Sequence, residues 1–445
     1  LIVCTRTAVV IPHPGAIFLK EVLPVKKPGL KFFALVFSAV LALTILSGCG
    51  SDSNTMSNAK YTEPLYYAEN DTYGYYIYED HAELKKFFGT STLEVTIPSE
   101  VPDSKSGKNL PLTVIGKGSF NADSGVQTIN IPDSVTEIRS GAFHDCLGLE
   151  TVNFGKNVKM IGANAFSGCM GLININLSDS VESIGTYAFS GCSTLEKLEL
   201  KNVKEIGDNA FEKCISLNEI SGGGNLTLVG KDAFSGTPWF EAQTDEFVTI
   251  GKSLVKYNGN AAEIELDGKI EGISNVFAGK DNITKINMPS VKFICNNAFT
   301  GCTALSEVKL SDDAEFVGCG AFEGTAYMTN LTADKDGFVI VGKVLVKYIG
   351  DSTSVRIPKG IKMISDAFKG NETIVDIATG DSVKAIGLDA FYKCSNLKTV
   401  IIGKNVSSID SSAFDDCTIS EFNAGTNAYA AYWAADAGFS NIIFK

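Results

Sequence analysis

The cysteines are the first residues whose type and spacing suggest chemistry. The 445-residue chain contains eleven, a number that suggests disulfides or a metal site. Seven of them stand three residues after a phenylalanine: Cys146, Cys169, Cys192, Cys214, Cys302, Cys394 and Cys417. Because no Cys-x-x-Cys pair occurs, we predict a column of buried free thiols that fill apolar space. A disulfide between neighbouring repeats is the alternative, and Cys295 and Cys319 fall outside the column.

The histidines offer little for acid–base or nucleophilic catalysis. The chain has three, His13, His81 and His144, so a Ser-His-Asp or Cys-His arrangement would need one of the last two. His144 directly follows a repeated phenylalanine, which predicts an exposed turn residue.

Glycine-rich and acidic stretches also lack the spacing of known sites. Gly222–Gly224 is not followed by Gly-Lys-Ser/Thr, so we predict no phosphate-binding loop. Asp312–Asp313 and Asp415–Asp416 lack the spaced ligands of a calcium loop. Nothing selects a pair of carboxylates for glycoside hydrolysis. We therefore expect no enzyme activity, no cofactor and no metal site.

A repeated phenylalanine organises the chain. It recurs as Phe120, Phe143, Phe166, Phe189, Phe211, Phe234, Phe277, Phe299, Phe322, Phe368, Phe391 and Phe414. Most steps are 22 or 23 residues, and two steps, of 43 and 46 residues, are about double. A period in the twenties is typical of a leucine-rich-repeat type of solenoid.

One full unit, residues 149–172, shows how each repeat is built. Leu149, Val152 and Phe154 are apolar positions of a half-buried strand whose other residues are polar. The pair Ala165–Phe166 then forms a turn whose ring fills the interior. A single coil cannot bury its apolar face, but stacked copies share one core. We therefore predict a mostly β solenoid of about twelve coils of 22–23 residues.

The repeated pattern resembles a known family. Residues 131–149 read Ile-Pro-x-Ser-Val-x-x-Ile-x-x-x-Ala-Phe-x-x-Cys-x-x-Leu, which is similar to the BspA-like leucine-rich-repeat family of bacterial surface proteins. The resemblance covers roughly residues 75–445. It implies a right-handed leucine-rich-repeat solenoid, a position on the bacterial cell surface and a role in adhesion.

The two double steps contain the same insert. Phe247–Tyr257 and Phe338–Tyr348 are offset by 91 residues and identical at eight of eleven positions. Two β-rich runs around a central Gly-Lys predict a hairpin. We expect these hairpins near residues 238–260 and 326–351, laid on or beside the solenoid.

The N-terminal residues predict an export signal. Lys26, Lys27 and Lys31 precede a 15-residue apolar run that ends in Leu-Ser-Gly-Cys at Cys49, which is typical of a secretory signal. The same four residues resemble the bacterial lipobox, which implies cleavage before Cys49 and a lipid on its sulfur. An ordinary signal peptide is the alternative, and translation could start at Val25.

The remaining domain boundaries follow from composition. We expect a signal peptide at 1–48, an anchor and tether at 49–60, an N-terminal β cap at 61–111 and the solenoid at 112–420. A short helix and strand predict a C-terminal cap at 421–445.

Charge excludes two kinds of partner. The first 49 residues hold five of the 38 basic residues and one of the 51 acidic ones, so the rest has a net charge of −17. Nucleic acids and anionic membrane surfaces select basic patches. We expect neither partner, and membrane contact only through the lipid on Cys49.

The outward positions of the strands form two polar columns. Their members include Thr128, Asn130, Thr151, Asn153, Asn174, Asn176, Lys197, Glu199, Glu219, Lys285, Asn287, Glu307 and Lys309. Solenoids bind partners on such extended faces. We therefore predict a surface-exposed adhesion protein that binds an extracellular protein of a host or neighbouring cell. Asn130, Asn153 and Asn176 could instead form a hydrogen-bonded ladder that serves only the fold.

A glycan-binding accessory lipoprotein is the alternative function. Seven of the 14 tyrosines lie between residues 61 and 78, and Trp239–Phe240 adds two further aromatic rings. These residues could stack against a sugar, although capping and packing of the solenoid end also explain the tyrosines.

Overall fold

The computed structural model describes residues 64–89 and 93–444. The expected signal peptide, Cys49 and the tether lie outside these residues. The described chain consists of stacked β-coils with three short helices. Among the described residues, no helix is both long and apolar enough to cross a bilayer.

One strand from each coil leads into the turn that carries the aromatic ring, and we call this set the turn-side column. It stacks mainly in parallel and in register, as in the pairing of Ile161 with Ile184. Its fifteen strands are Ala82–Phe87, Lys108–Ile115, Glu137–Ile138, Met160–Ile161, Ser183–Ile184, Glu205–Ile206, Leu228–Val229, Ser253–Tyr257, Gly272–Ile273, Phe293–Ile294, Phe316–Val317, Val344–Tyr348, Met363–Ile364, Ala385–Ile386 and Ser408–Ile409.

A second set of parallel strands forms the face column, on which the predicted binding residues lie. Its members are Glu94–Thr96, Thr128–Asn130, Thr151–Asn153, Asn174–Asn176, Lys197–Glu199, Glu219–Ser221, Glu263–Glu265, Lys285–Met288, Glu307–Leu310, Ser354–Arg356, Asp376–Ala378, Thr399–Ile401, Glu421–Gly425 and Ile442–Phe444. The remaining strands pair antiparallel with the turn-side column or with each other: Tyr66–Glu69, Tyr73–Ile77, Glu100–Asp103, Phe247–Ile250 and Phe338–Val341.

The repeated phenylalanines stack ring on ring through the core, as the period predicts. Phe143 and Phe166 lie 4.9 Å apart between ring centroids, with planes 8° apart. Phe166 and Phe189 lie 5.1 Å apart at 4°. These rings are fully buried, so each coil supplies one large apolar side chain to a continuous ladder.

The cysteine column lies beside this ladder. The described cysteines are free thiols, and each column thiol donates to the carbonyl of the phenylalanine one coil earlier, as Cys169 Sγ does to Phe143 O at 3.1 Å. Burial raises the pKa of Cys214 to about 12 and that of Cys302 to about 11. The cysteine therefore fills apolar space and also satisfies a backbone acceptor.

The two predicted hairpins are present, but each contributes a strand to the stack. Phe247–Ile250 pairs antiparallel with Ser253–Tyr257, which in turn pairs in parallel with Gly272–Ile273. Tyr257 and Tyr348 occupy the ring position, 5.2 Å from Phe277 and 5.1 Å from Phe368. The expectation that the hairpins lie on or beside the solenoid was therefore wrong, because a tyrosine replaces the repeated phenylalanine.

A third hairpin of the same kind begins the described chain. Tyr73 pairs with Phe87, as Phe247 pairs with Tyr257 and Phe338 with Tyr348. The Phe87 ring stacks on Phe120 at 4.7 Å. The solenoid has about fifteen turns, and the three hairpin strands account for the excess over the twelve repeats visible in the sequence.

The rings fall into three runs, each of which ends beside a helix. The helices are α1, Pro238–Glu241, α2, Ala326–Asn330, and α3, Ala428–Asp436. Trp239 lies edge-on to Phe234 at 5.7 Å, and Tyr327 lies edge-on to Phe322 at 5.1 Å. Trp433 covers Phe414 at 5.7 Å. An aromatic side chain thus covers the last ring of each run.

Thr237 and Thr325 explain why the column cysteine is missing at the first two helices. Each hydroxyl donates to the phenylalanine carbonyl of its own coil, at 2.8 and 2.7 Å. Each also accepts an N–H of the following helix, at 3.2 and 3.1 Å. The threonine hydroxyl therefore replaces the cysteine thiol as a donor to a phenylalanine carbonyl, and it also caps the N-terminus of the helix that follows the run.

Arg139 joins the first hairpin to the following coils. Its guanidinium lies 2.7 Å from Glu83 and 3.2 Å from Glu137, and both carboxylates are buried. Burial raises the pKa of Glu137, while the positive charge of Arg139 opposes this shift. Removal of the arginine would leave buried carboxylates without their counter-charge.

Glu205 is a buried carboxyl group in the turn-side column. It is 1% exposed, and neither carboxyl oxygen has a hydrogen-bond partner among the described residues. Burial raises its pKa well above the ordinary range, although Lys204 opposes the shift. Because the folded state holds this proton to a higher pH than the unfolded chain, Glu205 lowers stability as pH rises above the ordinary glutamate range.

Glu205→Met should therefore stabilise the protein. Methionine already occupies the equivalent position at Met160. Removing an unsatisfied buried polar group should raise the free energy of unfolding by about 1–3 kcal/mol. The gain should be larger in mildly alkaline solution than under acidic conditions, as measured by urea titration across pH.

The matched control is Glu196→Met, which removes the same charge from an exposed position. The free energy of unfolding of this control should not rise more in mildly alkaline solution than under acidic conditions. Equal gains for the two variants would contradict the account of Glu205.

Candidate functional site

The predicted binding residues lie side by side on the outward side of the face column. Thr128, Thr151 and Asn174 form one row, and Asn130, Asn153 and Asn176 form the next. Further along, Lys197 faces Glu219 and Glu199 faces Ser221, Lys285 faces Glu307, and Asn287 faces Lys309. All of these side chains are exposed or half-buried.

The asparagine row is partly a structural ladder. Asn153 Nδ2 donates to Asn130 Oδ1 at 2.8 Å, and Asn130 Nδ2 donates to Glu94 Oε1 at 2.9 Å. Asn176 is exposed, and its side-chain amide makes no hydrogen bond to any part of the chain that the structure describes. In this row, Asn130 and Asn153 therefore stabilise the fold through their hydrogen bonds, whereas the side-chain amide of Asn176 is available to a partner.

The charged members of the face pair with one another. Lys197 Nζ lies 2.7 Å from Glu219, and this contact raises the pKa of the lysine. Glu307 lies 3.3 Å from Lys285 and 3.6 Å from Lys309. Exposed pairs of this kind contribute little to stability, so their charges remain accessible to a partner.

The hairpins divide the face into segments. The face column breaks between Ser221 and Glu263 and again between Leu310 and Ser354, where the two internal hairpins enter. A further break in strand pairing falls between Asn176 and Lys197. The segment from Glu94 to Asn176 contains the asparagine ladder, and the next two segments contain the lysine–glutamate pairs.

The N-terminal tyrosines are largely committed to packing. Tyr75 is buried, and Tyr73 packs on Phe87 at 5.5 Å. Tyr66 bonds to Asp103 through its hydroxyl, with Lys105 above its ring. Tyr61 lies outside the described residues.

Among the described residues of this group, Tyr67 is the exposed tyrosine. Tyr67 is 44% exposed and lies edge-on to the half-buried Tyr76 at 5.9 Å. The ammonium of Lys85 lies 5.6 Å from the Tyr76 ring. This pair contains the most exposed ring of the aromatic surface that the sequence suggested for glycans.

Trp239 and Phe240 are held by the fold. Trp239 covers the ring of Phe234. Lys256 lies above Phe240 at 4.8 Å and donates to its carbonyl at 2.9 Å. Both aromatic rings are half-buried and serve the end of the first run.

The two described histidines lie beside acidic residues in surface turns. His81 Nδ1 is 2.8 Å from Asp80, and its ring stacks on Tyr78 at 4.4 Å. His144 Nδ1 is 3.2 Å from Asp145. Among the described residues, no cluster of three His, Cys, Asp or Glu side chains has the geometry to hold a metal ion.

A cavity at the end of the second run was not predicted from the sequence. It has a volume of about 750 Å³ and lies between the Phe322 coil and the Tyr348 and Phe368 coils. Two sequence features mark its place: the replacement of the column cysteine by Thr325, and the double step in the phenylalanine period.

Sequence comparison assigns the family. A model for the BspA type leucine-rich repeat region matches six copies, over residues 113–241, 269–366 and 347–431. These spans cover more than half of the chain, which therefore belongs to the BspA-type leucine-rich-repeat family. No curated protein matches the sequence.

Several solved structures resemble this one. A leucine-rich cell surface protein from Faecalibacterium prausnitzii is 22% identical, with 86% of this chain and 96% of that chain covered and a TM-score of 0.38. A leucine-rich repeat protein from Bacteroides ovatus is 20% identical, with 85% and 99% covered and a TM-score of 0.28. The pneumococcal vaccine antigen PcpA is 16% identical, with 86% and 100% covered and a TM-score of 0.28.

Proposed function

We propose that this chain is a lipid-anchored cell-surface protein that binds an extracellular protein through its face column. The family contains bacterial surface proteins, and the lipobox-like residues before Cys49 supply a means of attachment. The partner is a protein of a host or of a neighbouring cell.

The observation that carries this proposal is the regular array of polar side chains on the face column. Neighbouring strands repeat at about 4.8 Å, so donors, acceptors and charges recur along a rigid surface. Lys197, Glu219, Lys285 and Glu307 supply both signs of charge. Many weak polar contacts can then add up to specific binding, because the strands hold the side chains in place before the partner arrives.

The Tyr67–Tyr76 pair favours a second candidate, glycan binding. One exposed ring and one half-buried ring, with Lys85 nearby, offer an apolar surface next to a hydrogen-bond donor. Such a site would lie on the first hairpin and away from the lysine–glutamate pairs of the face column. Substitutions on the two surfaces therefore separate the candidates.

Replacing Lys197, Glu219, Lys285 and Glu307 together with alanine should weaken binding to an extracellular-matrix protein at least about tenfold. The loss follows from the removal of charges that the partner contacts. The measurement is surface plasmon resonance of the purified protein against a panel of matrix proteins, together with a glycan array. The thermal unfolding temperature of the variant should remain unchanged, because the pairs are exposed.

A second quadruple variant provides the matched control. Alanine at Lys252, Glu271, Lys343 and Asp313 removes three other ion pairs, because Glu271 also pairs with Lys292, and all of them lie outside the face column. This variant should retain binding. An equal loss in both variants would contradict the proposed face, and a glycan signal lost in Tyr67→Ala would transfer the function to the aromatic pair.

The lipid anchor can be tested separately. Cys49→Ser should abolish incorporation of an alkyne-tagged fatty acid and release the protein from the membrane fraction, because the serine hydroxyl does not replace the thiol in this modification. Cys4→Ser is the matched control and should keep the label. Labelling that persists in Cys49→Ser would contradict the assignment.

A further inference from the structure

Apolar and polar groups line the cavity at the end of the second run in about equal measure. Phe322, Tyr348 and Phe368 line it, together with Met328, Val346 and Leu331. Its volume of about 750 Å³ falls in the range of small-molecule sites, roughly 300–1,000 Å³. It opens where the hairpin displaces the next coil from the Phe322 turn.

The same displacement leaves two backbone donors at the cavity. In a regular coil, the phenylalanine N–H donates to the alanine carbonyl of the next coil, as Phe299 does to Ala321 at 2.8 Å. At the break, the Ala367 carbonyl is the one that corresponds to Ala321 in the regular coil, and Tyr348 N–H donates to it at 2.9 Å. Phe322 N–H therefore has no acceptor among the described residues.

Gly324 loses its acceptor for the same reason. The equivalent glycine N–H donates across to the next coil elsewhere, as Gly301 does to Glu323 at 3.4 Å and Gly370 does to Tyr392 at 2.7 Å. No residue in the described ranges accepts a hydrogen bond from Gly324 N–H. By the direction of the repeat, both orphaned N–H groups are directed toward the next coil, where the cavity lies.

A lysine at the cavity adds a positive charge. Lys347 lines the opening, and its exposed ammonium has no hydrogen bond or ion pair within the part of the chain described. The equivalent lysine of the hairpin at Phe247–Tyr257, Lys256, donates instead to the carbonyls of Phe240 and Gln243 at 2.9 and 3.1 Å. Two nearly identical hairpins thus differ in whether this lysine is free to bind a ligand.

The other charged groups of the cavity are mostly committed. Asp366 accepts from Gly320 N–H at 3.1 Å and from the Ser365 hydroxyl at 3.0 Å. Lys369 pairs with Asp389 at 2.8 Å. Glu323 is an exposed carboxylate at the opening, and it disfavours ligands that carry several negative charges.

We propose that this cavity binds a monocarboxylate that carries an aromatic or branched apolar group. The carboxylate accepts from Phe322 N–H and Gly324 N–H and pairs with Lys347, while the apolar group lies against the aromatic and aliphatic walls. Such a carboxylate belongs either to a free organic acid or to the C-terminus of a peptide. This site lies outside the face column and does not depend on the function proposed for that face.

The test is a titration of the ¹⁵N-labelled protein followed by amide NMR. The probes are 3-phenylpropionate and its neutral amide, and the peptide Ala-Ala-Phe with a free or an amidated C-terminus. The acids should shift the Phe322 and Gly324 amides and leave the equivalent Phe234 and Gly236 amides in place. Each neutral amide should bind about tenfold more weakly than its acid, because a charged acceptor forms the stronger hydrogen bond.

The two equivalent lysines supply a matched pair of variants. Lys347→Met should weaken binding of the acid about tenfold, and Lys256→Met should leave it unchanged. Tighter binding of the peptide would identify a peptide C-terminus as the source, and tighter binding of 3-phenylpropionate a free organic acid. The proposal is overturned if neither acid shifts these amides at millimolar concentration, if acid and amide bind equally, or if both variants weaken binding equally.

Discussion

The structure depends on the stacking of equivalent residues at about 5 Å from one coil to the next. Every position must tolerate its own counterpart above and below it, which parallel in-register strands enforce. Phenylalanine meets phenylalanine in the core, and a cysteine thiol meets the backbone carbonyl of the coil before it. On the surface the same constraint places asparagine on asparagine and lysine on glutamate. The interior ladder and the candidate binding face therefore have one physical origin.

The places where stacking stops are as informative as the stack itself. A threonine replaces the column cysteine, a short helix supplies an edge-on aromatic ring, and a hairpin then begins a new run with a tyrosine. Interrupting the register removes hydrogen-bond partners from the turn before the break. In the second break this produces a cavity with backbone donors and an uncommitted Lys347. Regular coils give an extended polar surface, whereas the second break gives a local cavity.

The sequence reveals most of the repeat because period and packing are the same property in a solenoid. The phenylalanine spacing predicts the ring ladder, and the offset of 91 residues predicts the two internal hairpins. The first hairpin escapes notice because its strands share little sequence with the others and 33 residues separate Phe87 from Phe120. Tyr257 and Tyr348 hide two further coils from a search for phenylalanine. The cavity could not be predicted from the sequence, because it depends on which backbone N–H donates a hydrogen bond to the Ala367 carbonyl.

The most direct test of the ladder is the free energy of unfolding of Phe166→Ala beside Phe166→Leu, measured by urea titration. Phe166 lies between Phe143 and Phe189 with no exposed surface. If ring stacking holds the coils together, the alanine variant should lose about 3–5 kcal/mol. The leucine variant should lose clearly less, because leucine refills most of the volume. A loss below about 1 kcal/mol for alanine would contradict the central role of the ladder.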